Sequence, residues 1–182
     1  MKTKTFGAPT SLNEQARTVD VIASTSAVDA HGEVVAQDWR LERFLSNPII
    51  LAHHDSRALP VGRATRVEVI GERLELTVEF APAEANPEAE KIWQLVRGGF
   101  LRTVSVGFVP GGERHEMRDG KEVVVLLSPE LMEVSFVAIP ANPEAKVKTA
   151  DPLPAFIARD LGDLLVGASA PPFIARDLGD LL

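Results

Sequence analysis

GRATRVEVIGERLELTVEF, residues 62–80, is the stretch on which the fold turns. Its two halves, 62–69 and 73–80, alternate apolar and polar residues with period two around Ile70-Gly71-Glu72. That pattern predicts a hairpin of half-buried strands, with Gly71 free to take the positive φ of a tight turn. The same texture extends outward. RTVDVIAS (17–24), NPIILAHH (47–54) and FLRTVSVGFVP (100–110) read as strands. Asp119-Gly120 marks a second hairpin between RHEMR (114–118) and EVVVLL (122–127). LMEVSFVAI (131–139) is a further strand, closed by Pro140. Two segments read as helix: Trp39 to Leu45, and PEAEKIWQLVRGG at 87–99. In the second, Asn86 is placed to cap, Pro87 suits the first position, and Ile92, Leu95 and Val96 form an apolar stripe. Many short strands and few helices define a mainly β fold, a small closed or nearly closed barrel with peripheral helices.

The chain has 182 residues, 45% of them hydrophobic, which suits one domain with an appendage. Its formal charge of −7 argues against nucleic acid or an anionic membrane as the main partner, since both demand a basic face. With no cysteine, disulfides, thiolate metal sites and a cysteine nucleophile are excluded. The basic N-terminus is followed by no apolar stretch of signal-peptide type, and no run is long enough to span a membrane. The expectation is a soluble protein of the cell interior.

The organisation expected is an N-terminal arm at 1–16, a β domain at 17–148 and a tail at 149–182. In the tail FIARDLGDLL occurs twice without difference, at 156–165 and 173–182, joined by the small-residue linker VGASAPP. Two copies make no solenoid. Each is too short to be a stable helix alone and reads as a module that needs a surface to fold against.

Four histidines are present: His31, His53, His54 and His115. His53-His54-Asp55 has poor metal-ligand spacing, because neighbours on a strand point to opposite faces. A hydroxyl, an imidazole and a carboxylate drawn from distant sequence are the parts of a nucleophilic site. Ser105 lies within an apolar strand, His54 ends another, and Glu133 shares a strand face with Leu131, Ser135 and Val137. A glutamate in that company needs a partner or water. Gly107 points the same way as Ser105, and its missing side chain leaves room for substrate, for a bulge or for tight packing. Strand serines are usually structural, however, a histidine before aspartate is often a turn residue, and lone strand glutamates usually lie at edges. Spacing alone favours those structural readings. There is no GxSxG nucleophile elbow, which argues against an α/β-hydrolase.

LAHHDSRALPVGRA (51–64), GGFLRTVSVGF (98–108) and LMEVSFVAIPANPEA (131–145), preceded by VDAHGEVV (28–35), change that balance. Together they resemble the ordered signature blocks of the tailed-phage prohead protease family, capsid maturation serine proteases related in fold to herpesvirus assemblin. The resemblance covers residues 17 to 147 and implies a small β-barrel of that type, making 17–148 a serine protease domain. Carried over position by position, it implies His54 as base, Ser105 as nucleophile and Glu133 as orienting acid. His53 stands where the family has asparagine and is the alternative base. No cofactor is implied, and the loop Pro140-Ala141-Asn142-Pro143 is a candidate for oxyanion contacts.

The resemblance further implies an endopeptidase that cuts scaffold or capsid protein segments, and itself, inside the procapsid in the bacterial host cytoplasm. Its expected partners are the major capsid protein or a scaffold protein and further copies of itself. The tail would dock it to capsid, scaffold or a neighbouring subunit. Val166-Gly167-Ala168-Ser169 is similar to assemblin cleavage sites and makes the Ala168–Ser169 bond a candidate for self-cleavage, against the reading of a plain spacer. The alternative to an enzyme is an inactive capsid-assembly or scaffold-binding protein on the same barrel.

Overall fold

The computed structural model describes residues 12–148. Its strands, in chain order, are β1 (Leu12–Asn13), β2 (Thr18–Thr25), β3 (Glu33–Val35), β4 (Ile49–Ala52), β5 (Gly62–Val69), β6 (Arg73–Phe80), β7 (Thr103–Val109), β8 (Gly112–Arg118), β9 (Lys121–Leu127), β10 (Glu130–Val137) and β11 (Lys146–Val147). Helix α1 (Glu42–Ser46) lies between β3 and β4, and α2 (Pro87–Arg97) between β6 and β7. The main sheet runs β1-β2-β11-β7-β10-β4-β5-β6, and β6 pairs back onto β2. That last pairing closes seven strands into a barrel, so the mainly β expectation holds. A small sheet, β3-β9-β8, stands beside it.

The β5–β6 hairpin forms, with Val67 opposite Leu76 and Gly71 at φ 59°, but the period-two reading of 62–69 is broken by a bulge in which Thr65 is the extra residue between Ala64 and Arg66. Asp119 and Gly120, at φ 50° and 75°, make the second turn. The period-two residues face inward. Val19, Val21, Leu74, Leu76, Val78, Val104, Val134 and Phe136 are buried in one cluster. Ala89, Ile92, Trp93 and Val96 of α2 belong to the same cluster, so the helix lays this face on the barrel core, while Leu95 of the expected stripe is exposed. Phe80 joins the two, its ring 5.2 Å from that of Trp93 and 5.1 Å from that of Phe136.

Asn86 caps α2 by accepting the Glu88 N–H at 3.0 Å, while its amide donates to the Pro60 carbonyl. α1 is shifted from the expected 39–45. The Arg40 carbonyl accepts from the N–H of Leu131, and the Trp39 ring packs edge-on against Phe108, which delays the helix start. The tail at 149–182, with its repeats and the Ala168–Ser169 bond, and most of the expected arm lie outside the described residues. No helix among the described residues is long and apolar enough to cross a membrane.

Candidate active site

Three adjacent strands of the barrel wall carry the candidate residues. β10 pairs in parallel with β4, Phe136 opposite Ala52, and antiparallel with β7, Ser135 opposite Ser105. On β7 the buried Val104 and the partly buried Val106 pack into the core, so Ser105 and Gly107 face outward. On β10 Val134 and Phe136 face inward, which turns Glu133 and Ser135 outward beside them.

One sequence expectation fails on β10. Leu131 does not share a face with Glu133. Leu131 pairs with Phe108 and Glu133 with Gly107, so Met132 is the extra residue of a β-bulge. The bulge sends Leu131 into the core and swings Glu133 to the outer wall. The glutamate then has its partner. Its side chain is 16% exposed, and Oε1 lies 2.6 Å from His54 Nδ1. Gly107 opposite leaves the space that this carboxylate fills, since a Cβ there would overlap Oε1. Of the three readings of Gly107, tight packing is the one realised, and the packed group is Glu133.

β4 ends at Ala52, two residues earlier than NPIILAHH suggests. His53 and His54 both leave it in the left-handed region, at φ 56° and 57°. Non-glycine residues rarely adopt that conformation, and such strain concentrates at functional sites. Each N–H of the turn is satisfied. His53 donates to the Phe136 carbonyl at 3.0 Å, His54 to Ser135 Oγ at 3.1 Å, and Asp55 to the Ala52 carbonyl at 3.1 Å. Glu133 therefore meets His54 and not His53.

An ionised carboxylate only accepts, so the bond to Glu133 puts the proton on Nδ1 and leaves Nε2 as the basic nitrogen. Ser105 is directly opposite Ser135, which holds the His54 backbone; the Cβ atoms of such a pair lie about 4.5–5.5 Å apart. No hydrogen bond joins Ser105 Oγ to His54 among the described residues, and in unliganded sites that contact often tightens only with substrate.

Ser135 was missed as a site residue. The available signal was its spacing, two positions from Glu133 and so on the same strand face. Its hydroxyl donates to Glu133 Oε2 at 2.5 Å. In the Pro140–Pro143 loop the Asn142 side chain is turned to β2, bonded to Thr25, so only backbone N–H groups remain there for an oxyanion.

A strand hydroxyl beside a carboxylate-paired imidazole, on one wall of a closed barrel, is a layout suited to nucleophilic hydrolysis. The chain belongs to the caudovirus prohead serine protease family, whose profile matches residues 21–154. It is 30% identical over 141 residues to the capsid polyprotein of Pseudomonas phage PAJU2, covering 75% of this chain and 20% of that protein. It is likewise 30% identical over 128 residues to the prohead protease of Escherichia phage T5, covering 68% of this chain and 58% of that one. The chain thus spans less than two thirds of either relative's length.

Proposed function

We propose that this protein is a serine endopeptidase of phage procapsid maturation, working through Ser105, His54 and Glu133. The observation that carries the reading is the 2.6 Å contact between Glu133 Oε1 and His54 Nδ1, made on the wall that bears Ser105. In the reaction, His54 Nε2 takes the Ser105 proton as Oγ attacks the scissile carbonyl. Glu133 stabilises the imidazolium that results. Collapse of the tetrahedral intermediate returns that proton to the leaving amine and leaves an acyl-enzyme. Water, deprotonated by the same imidazole, then releases the acid. Backbone N–H groups of the Ala141-Asn142 segment are the candidates for holding the oxyanion.

The substrates we propose are scaffold or capsid protein segments, encountered within the procapsid. Family membership supports this, as does the match to a region of a protein named capsid polyprotein. The tail repeats would hold the enzyme to that assembly, two copies raising avidity if both engage. Self-cleavage at Ala168–Ser169 belongs to the same reading.

A fluorophosphonate probe tests it. Labelling of Ser105, mapped by mass spectrometry and lost in Ser105→Ala and His54→Ala, is the expected result. An assembled, folded sample that does not label would favour the inactive assembly protein instead.

A further inference from the structure

We infer that Ser135 is a positioning residue of this site, holding the Glu133 carboxylate and the His54 backbone in one hydrogen-bonded unit. This deepens the proposed function and rests on His54 acting as the base for Ser105.

Ser135 is fully buried, yet it is a polar side chain on the outer wall. Its hydroxyl has two partners, and their chemistry fixes the direction of each bond. Glu133 Oε2 accepts only, so the single hydroxyl proton goes to it. The lone pairs remain for the His54 N–H at 3.1 Å. The two oxygens of Glu133 are therefore divided, Oε1 to the imidazole and Oε2 to the serine. Without Ser135 the carboxylate could rotate about its last bond and offer either oxygen, or neither, to the ring.

The second partner matters as much. His54 stands in the left-handed region at φ 57°, directly after another left-handed residue. A backbone so disposed persists only where its surroundings hold it. Ser135 Oγ supplies the acceptor for the one N–H in that turn that no carbonyl takes. One hydroxyl thus fixes where the imidazole begins, through its backbone, and where it points, through its carboxylate. A serine with a merely structural role would cap a backbone group alone. Only a small residue that both donates and accepts can do both here, and alanine can do neither. Ser135 touches no reacting atom; it acts through His54 and Glu133. Groups of this kind keep catalytic side chains within a fraction of an ångström of productive geometry, and a misplacement of 1 Å costs a rate factor of about 100.

The test uses the full chain as wild type, Ser135→Ala, Ser135→Thr and His54→Ala. Proton NMR reads the low-field resonance of the His54 Nδ1–H, identified by its loss in His54→Ala. Labelling kinetics and peptide hydrolysis are measured on the same samples. The expected result is that Ser135→Ala stays folded, loses or shifts that resonance, and labels about 10- to 100-fold more slowly, with kcat reduced and KM kept. Ser135→Thr, which keeps the hydroxyl, recovers both signals. A folded Ser135→Ala with the resonance unmoved and wild-type labelling would overturn the inference. Should that variant fail to fold, Ser135→Cys decides, since a thiol donates and accepts only weakly. A shifted resonance with slowed labelling upholds the inference, and both unmoved overturn it. If the wild type never labels at Ser105, the protease reading fails, while the resonance still reports whether Ser135 organises the pair.

Discussion

Replacing Gly107 with alanine should disable the site while leaving the barrel almost intact. A Cβ at this position overlaps Glu133 Oε1 and comes within 3.1 Å of its Cδ and Cγ. What must yield is the far end of a flexible side chain, so the barrel itself is not forced apart. The cost in stability comes from the bonds that Glu133 gives up, chiefly the Ser135 hydroxyl left buried without its acceptor, about 1–3 kcal/mol. The cost in activity is larger. Losing one charge-assisted bond to the imidazole, about 1.5–3 kcal/mol, slows the chemical step by roughly one to two powers of ten even if the ring keeps its place. Gly107→Ala should therefore label at Ser105 about 10- to 100-fold more slowly, with a urea midpoint only modestly lowered. Gly112→Ala is the control, because nothing lies within 4 Å of its would-be Cβ. Glu133→Ala should bring the rate down similarly, and adding Gly107→Ala to it should change the rate no further, since both act through one contact. A folded Gly107→Ala that labels at the wild-type rate, or a double variant whose losses multiply, would refute the reasoning.

Other outcomes are expected elsewhere. His53→Ala should retain most labelling at Ser105 where His54→Ala loses it, measured on the same probe. Phe136→Ala removes a fully buried ring that touches Phe80 and should cost about 3–5 kcal/mol in urea denaturation. Asn86→Ala deletes the cap of α2 and the tie to Pro60, for a loss of about 1–2 kcal/mol. Long incubation of active protein should release the segment from Ser169 onward, seen by intact mass; an unchanged mass in a sample proven active on peptides would sink self-cleavage.

The hairpin β5–β6 was legible because β6 alternates cleanly and the turn residue is a glycine in the left-handed region; the bulge at Thr65 of β5 was not legible. α2 was legible because Asn86-Pro87 announces it and Gly98-Gly99 ends it. The candidate triad was legible only as ordered blocks resembling a family; periodicity had left Ser105, His54 and Glu133 as ordinary structural residues. What stayed hidden has physical causes. The bulge at Met132 shifts the alternation by one residue, so a strict period-two reading puts Leu131 beside Glu133 and misses that one is core and the other site. The left-handed conformation of His53 and His54 carries no glycine or asparagine to advertise it, and the pair read as the end of a strand. β3 and β11 are too short to show a period, and parallel pairing of β4 with β10 leaves no turn between them in sequence.

That parallel pairing also bears on folding order. His54 and Glu133 are 79 positions apart, and β6 must return to β2 before the barrel is closed. Contacts of such long range form slowly, because the loop entropy is lost before they reward it. No early hairpin contains two of the three candidate residues. On the proposed function, a nascent or half-folded chain would therefore lack an assembled site, and reactivity at Ser105 would appear only after the β4–β10 seam joins.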